Sequence, residues 1–301
     1  MSQIDQLNRR FGIAGQLDFE TLPGGLAVAR VSTDWATATV ALQGAHLLTY
    51  RPDGQAPVIW LSDEAKFVPG KSIRGGVPVC WPWFGPHVDQ PGFPGHGFAR
   101  TVPWEMVQVG RLPDGRIRLE FELIHTDATR AQWPHACVVR NVITVGQELE
   151  LELATTNTGE QSFTLGQALH TYFEVGDIGQ VGIAGLEGCD FLDKVDGGAR
   201  KCQRGDVAFT GETDRIYLGT RGCCQIRDPL LKRIILITST GSRSTVVWNP
   251  WIDKSEKMGD FGSKGYRSMV CVETANAAED VIVLGAGQTH RMAAQYRVLA
   301  A

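Results

Sequence analysis

Apolar residues in this chain fall mostly two positions apart, the period of a strand that buries one face. Residues 116–123 are the clearest case. Ile117, Leu119, Phe121 and Leu123 share one face, while Arg116, Arg118, Glu120 and Glu122 share the other, so a half-solvated antiparallel strand is predicted. Residues 148–153 repeat the pattern with Leu149, Leu151 and Leu153 inward, and Gly146 supplies a hairpin turn from a strand over 137–145. Residues 26–32 and 35–43 predict a strand pair, continued by 44–50. The turn Arg51-Pro52-Asp53-Gly54 closes it, with proline pre-setting φ and glycine accepting a positive one. Strong strands are expected again at 233–239, 244–248, 268–273, 280–284 and 290–299, with loops and short strands over the glycine- and charge-rich stretch 176–222. Ile4, Leu7 and Phe11 stand at helical spacing and predict a short helix over 3–11. Strands and helices do not alternate, which argues against a parallel doubly wound sheet. No linker or fixed-period repeat divides the chain. The expected fold is all-β: one domain over 1–301, a large antiparallel β-sandwich with few short helices.

Residues 72–100, SIRGGVPVCWPWFGPHVDQPGFPGHGFAR, break this pattern. Pro78, Pro82, Pro86, Pro91 and Pro94 forbid a helix or a central strand. Trp81, Trp83, Phe84, Phe93 and Phe98 are nevertheless more apolar surface than a solvated linker would keep. The prediction is a stiff loop wrapped over a scaffold. Arg74 adjoins Gly75 and Gly76, and His96 lies between Gly95 and Gly97 with Arg100 just beyond, so a ligand or another backbone can approach these side chains closely. A long loop of this kind either carries function or completes the core with its aromatics, and these residues fit both.

A chain of 301 residues that is 43% hydrophobic has the material for a large core. Its net charge of -4 gives no general attraction to nucleic acid or anionic membrane, so any basic site must be local. No apolar run is long enough to span a bilayer, and MSQIDQLNRRFG lacks the segments of a signal peptide. Seven cysteines without a CxxC pair suit reduced thiols in a cytoplasmic protein and predict no zinc site. GxxxxGK[ST], a strand-borne GxGxxG, HExxH, GxSxG and an acidic calcium loop are all missing, which removes support for nucleotide use, zinc hydrolysis and serine hydrolysis. The remaining polar inventory is histidine, carboxylate and arginine.

Two such groups stand out. With 162–175 read as one strand, Phe163, Leu165, Leu169, Thr171, Phe173 and Val175 form a core face. The opposite face carries Ser162, Thr164, Gly166, Ala168, His170, Tyr172 and Glu174. Small neighbours leave room above His170 for a cleft, although a hydrogen-bonded structural histidine fits the same pattern. Glu273 follows Met269, Val270, Cys271 and Val272, which are apolar on both faces of a buried central strand. A carboxylate there is costly unless it is paired. It is either a strand-end residue reaching water or a general base tuned by partial burial. Residues 246–251, VVWNPW, end a strand at Asn249-Pro250 and offer Trp248 and Trp251 as core lids or as platforms for the C–H faces of a sugar. Residues 258–262 form a tight loop beside this segment.

Taken together, IRGGVPVCWPWFG, GHGFAR, LHTYFEV, WNPW and VCVETAN, in this order and over nearly the whole chain, resemble the glucose-6-phosphate 1-epimerases, the hexose-6-phosphate mutarotase branch of the aldose 1-epimerase superfamily. The resemblance implies a galactose-mutarotase-like supersandwich. It also implies interconversion of the α and β anomers of a hexose 6-phosphate by ring opening, without cofactor or metal. By motif position it implies His170 as general acid and Glu273 as general base, with the glutamate ionised and the histidine protonated at the outset. Arg74 and Arg100 match the holders of the 6-phosphate, His96 a sugar contact, and Asp193 of FLDK an aspartate that binds ring hydroxyls. Gly95 stands where family members often have glutamine. A small sugar phosphate is the implied partner, with no nucleic acid, membrane or obligate protein partner. An aldose 1-epimerase acting on unphosphorylated sugars would share the acid and base without the arginine clamp. A non-catalytic carbohydrate-binding protein would not need the pair.

Overall fold

A computed structural model of the protein describes residues 1–301. Two eight-stranded antiparallel sheets form the body, with a four-stranded and a two-stranded sheet beside them. In spatial order the first large sheet is Ala199–Cys202, Asp190–Asp193, Thr213–Leu218, Ser244–Asn249, Met269–Asn276, Gln167–Leu169 and Val79–Cys80, with Tyr172–Glu174 also paired to Met269–Asn276. The second is Gly182–Ala184, Cys223–Asp228, Arg233–Thr240, Thr289–Ala300, Leu149–Asn157, Cys137–Val145, Ile117–Leu123 and Trp104–Arg111. The α-helices are short: Gln3–Phe11, Asp127–Gln132 and Trp251–Glu256. None is long and apolar enough to cross a membrane. The antiparallel β-sandwich expected from the alternation is the fold observed.

The sandwich core lies between the two large sheets. Leu169, Thr171, Phe173, Val270 and Val272 of the first are all buried. The Thr171 and Tyr296 hydroxyls meet at 2.6 Å, and Phe173 packs edge-on against Tyr296 at 4.9 Å. Each large apolar side chain buried here contributes about 1.5–3 kcal/mol. Ile117, Leu119, Phe121 and Leu123 are buried as their alternation predicts. The other face of that strand is less open than expected, because Glu120 is only 7% exposed. Arg118 at 3.0 Å and Arg140 at 3.1 Å take the place of water around its carboxylate.

Three departures from the sequence pattern have local causes. Trp104–Arg111 carries a register shift between Met106 and Gln108, and this bulge erases its period of two. Residues 162–175 form three strands rather than one, Phe163–Leu165, Gln167–Leu169 and Tyr172–Glu174, interrupted at Gly166 and at His170-Thr171. The expected strand over 280–284 shortens to Ile282–Leu284 behind a 3-10 turn at Ala278–Asp280, and it pairs with Phe163–Leu165.

The proline-rich loop completes the core with its aromatics. Trp81 is fully buried, donates its indole N–H to Thr155 Oγ1 at 3.1 Å and meets Phe98 edge-on at 5.6 Å. Glycine permits two close backbone contacts, one of the loop with the scaffold and one within the loop itself. At Gly76, with φ of 70°, a Cβ would strike Leu47 O and the His46 ring, and at Gly97, with φ of 71°, it would strike the Trp81 carbonyl. The same loop turns Arg74, His96 and Arg100 toward the outer face of the first sheet.

Candidate active site

The site is created by a gap in a strand. Gln167–Leu169 and Tyr172–Glu174 both pair with Met269–Asn276, Leu169 opposite Thr274 and Tyr172 opposite Cys271. The two residues between them, His170 and Thr171, therefore stand against Val272 and Glu273. There the chain leaves the ladder: His170 N donates to Pro78 O at 3.0 Å, and Thr171 N to Leu169 O at 2.8 Å. His170 Nε2 ends 3.4 Å from Glu273 Oε1. The strand continues past Glu273 to Asn276, and Glu273 is 1% exposed, His170 9%. A strand-end carboxylate reaching water is thereby excluded.

Cross-strand register builds the floor. Glu273 stands opposite Val246, Val246 opposite Ile216, and Ile216 opposite Leu192. This row lies on the face turned away from the sandwich core, and with Phe84 it lines a cavity of about 520 Å³. Arg74, Arg100, Lys194 and Lys254 border the cavity against two carboxyls, Asp214 and Glu273. In a chain of net charge -4, this basic site is local, as the composition demands of any.

The cations are held differently. Arg74 donates from Nε to Asp260 Oδ1 at 3.2 Å and from a terminal nitrogen to the Tyr172 hydroxyl at 3.1 Å, and it lies over the Phe261 ring at 5.8 Å. Residues 258–262 thus tie their loop to the site. Arg100 donates to the Gly95 carbonyl at 2.9 Å and has no carboxylate partner. Lys254 pairs with Glu212 at 2.7 Å. His96, at a φ of 65°, accepts the Gly85 N–H at Nδ1 over 3.3 Å, and its ring meets His170 edge-on at 5.8 Å.

Five residues singled out from the sequence therefore converge: Arg74, His96, Arg100, His170 and Glu273. Asp193 does not line this cavity. It stands opposite Arg215, one position out of the row through Leu192, so it faces the other way. Its carboxylate takes Lys201 Nζ at 2.8 Å and the Val195 N–H at 3.2 Å. The second acid at the cavity is Asp214, two residues before Ile216 and paired with Trp248, which also lines the site. Its alternation with Ile216 and Leu218 is visible in TDRIYL, but nothing local says that this row underlies a cavity. Trp251 packs against Tyr266 at 5.6 Å instead.

Burial pushes the Glu273 carboxyl well above its ordinary range, Asp214 adds to this, and Arg100 opposes it. Burial holds the His170 imidazole well below its ordinary range, with His96, Arg100 and Arg74 acting in the same direction. His96 is lowered to about 4 by burial and Arg100. Neither Glu273 Oε2 nor His170 Nδ1 has a hydrogen-bond partner in the protein, so the loss of water around a charge is only partly offset. Burial thus raises the carboxyl and lowers the imidazole, disfavouring charge on each. Both directions run against charge on the pair, which an ionised glutamate beside a charged histidine would have to overcome.

The same shift couples stability to pH. A carboxyl raised by folding contributes its full stability below the ordinary carboxyl range and loses it as pH rises through the raised value. Glu273→Gln removes that loss. The melting temperature of the variant should gain on the parent by about 2–4 °C as pH rises above the ordinary carboxyl range. A difference that stays constant over that rise would contradict the assignment.

His170, Cys271 and Glu273 also offer three buried ligand atoms within 4.8 Å of one another, the group in this site with metal-binding potential. Two of the three are the acid–base candidates.

The family model described as aldose 1-epimerase matches residues 30–297. A protein of Escherichia coli strain K12, provisionally named glucose-6-phosphate 1-epimerase, is 45% identical over 243 residues, 80% of each chain. One from Cenchrus ciliaris, with the same provisional name, is 36% identical over 265 residues, 84% of this chain and 79% of its own. The crystal structure of a provisionally assigned mutarotase from Salmonella typhimurium matches with a TM-score of 0.90 and 36% identity, covering 100% of both chains. With the family match running across most of the sandwich and both of its large sheets, the chain belongs to the aldose 1-epimerase family.

Proposed function

We propose that this protein interconverts the α and β anomers of a hexose 6-phosphate, glucose 6-phosphate first among them, with Glu273 as general base and His170 as general acid. The observation that carries this reading is a buried acid–base pair, 3.4 Å apart, under a cavity bordered by four cations. The printed names of the relatives support the choice of sugar.

The C1 hydroxyl and the ring oxygen of a pyranose sit on the same carbon, so a base and an acid that act on them must be neighbours. Glu273 takes the C1 hydroxyl proton, and the released electron pair forms the C1 carbonyl. The bond from C1 to the ring oxygen breaks, and that oxygen takes the proton of His170. Rotation about C1–C2 presents the other carbonyl face, and the reverse transfers close the ring. Nothing is oxidised or reduced. General acid and base each contribute about 10²–10⁴-fold.

A dianionic phosphate at Arg74 and Arg100 offsets two of the cations that disfavour charge on His170, so its arrival favours the protonated imidazole that ring opening needs. Arg100 lacks a carboxylate partner, and Arg74 is aimed by Asp260 and Tyr172. Both offer forked donors that match phosphate oxygens. His96 stands beside the acid as a sugar contact. In this reading Asp214, rather than Asp193, takes ring hydroxyls, with Trp248 as an apolar wall.

Exchange NMR on glucose 6-phosphate and glucose side by side tests the proposal. Magnetisation transfer between anomers should accelerate strongly for the phosphorylated sugar and weakly for glucose. No acceleration on either would overturn it, and equal acceleration would remove the phosphate from the reading.

A further inference from the structure

The imidazole of His170 is not oriented by hydrogen bonds. Its Nδ1 is buried without a partner, and Nε2 has only the 3.4 Å approach to Glu273. A working histidine is ordinarily fixed through its second nitrogen. Here the ring lies on Tyr172, with centroids 4.9 Å apart and planes 14° from parallel. Tyr172 in turn stacks on Trp60 at 5.8 Å and 21°, and the Trp60 indole is pinned by Ser268 Oγ at 3.0 Å. Trp248 closes on His170 edge-on at 6.1 Å and on Tyr172 at 6.0 Å. The Tyr172 hydroxyl, meanwhile, accepts the Arg74 guanidinium at 3.1 Å, and the residue is 3% exposed.

We propose that Tyr172 is a positioning residue for both ends of the substrate: its ring sets the plane of His170, and its hydroxyl aims Arg74 at the phosphate. This rests on the acid and clamp roles proposed above. One side chain thus places the proton donor and the phosphate anchor in a common frame. A rigid frame of this kind matters because displacing a catalytic group by about 1 Å can cost about 10²-fold.

Two substitutions separate the halves. Tyr172→Phe keeps the ring and removes the hydroxyl. It should raise KM for glucose 6-phosphate about 10-fold, as expected for loss of one charge-assisted hydrogen bond, with the loss in kcat/KM lying in KM. Tyr172→Leu removes both, and kcat should fall about 10–100-fold on glucose 6-phosphate and glucose alike. A proton spectrum reads the ring half without any activity. The His170 ring protons should be displaced by the tyrosine ring current in the parent and in Tyr172→Phe, and should lose that displacement in Tyr172→Leu. This signal persists even where the parent shows no anomer exchange, which separates failure here from failure of the proposed reaction. Tyr172→Phe keeps the packing should Tyr172→Leu fail to fold. A Tyr172→Phe variant that loses kcat instead of KM, or undisplaced His170 protons in the parent, would overturn the inference.

Discussion

Replacing Glu273 with glutamine should leave the protein folded and lower catalysed anomer exchange by about 10²–10⁴-fold. Glutamine has nearly the same shape but cannot take the C1 hydroxyl proton. It also removes a buried carboxyl that lacks a partner at Oε2, so stability is not the source of the loss. The effect should lie in kcat, because the proposed phosphate clamp of Arg74 and Arg100 is untouched. His170→Ala should cost a similar factor by removing the donor to the ring oxygen. The two act in the same ring-opening step, so the double variant should lose little more than either single one, the non-additivity of groups that work as a unit. Catalysed exchange should follow a bell-shaped pH profile whose limbs belong to the pair and to neither residue alone. Anomerisation proceeds slowly in water, so rates must be compared with the protein-free reaction. Near-parent turnover by either single variant would remove the acid–base assignment.

Arg74→Ala should raise KM for glucose 6-phosphate by about 10–100-fold, the range for losing hydrogen bonds to a charged group. KM for glucose should change far less, since it has no phosphate to lose. Arg74→Lys should restore only part of the affinity. A lysine offers a point charge where Arg74 meets Asp260 and Tyr172 through separate nitrogens and keeps donors for phosphate. Arg100→Ala should show the same selectivity between sugars. An equal rise in KM for both sugars, in side-by-side kinetics, would sink the clamp.

Much of the fold was legible because a sandwich strand writes its two faces into alternate positions, as at 116–123 and 148–153. The same logic hid Trp104–Arg111, where a bulge shifts the register in mid-strand. It also smoothed 162–175 into one strand, since Gly166 and His170-Thr171 interrupt pairing without interrupting the alternation. That hidden interruption is the device that aims His170 at Glu273. Asp193 and Asp214 show the limit most sharply. Both are acids on neighbouring strands, and a single position of register against Leu192 and Ile216 separates the one paired with Lys201 from the one at the cavity.

The sequence by itself determined the alternation, the proline-stiffened loop and the order of motifs, because these depend on backbone sterics and side-chain type at each position. Tertiary structure alone decided which acid borders the cavity and that the residues before Tyr172 meet those before Thr274 across the sheet. It also decided that His170 and Glu273 are buried side by side, which disfavours charge on both. Register, proximity and burial are set by segments far apart in the chain, and the proton affinity of a buried group follows the water and charge those segments leave around it.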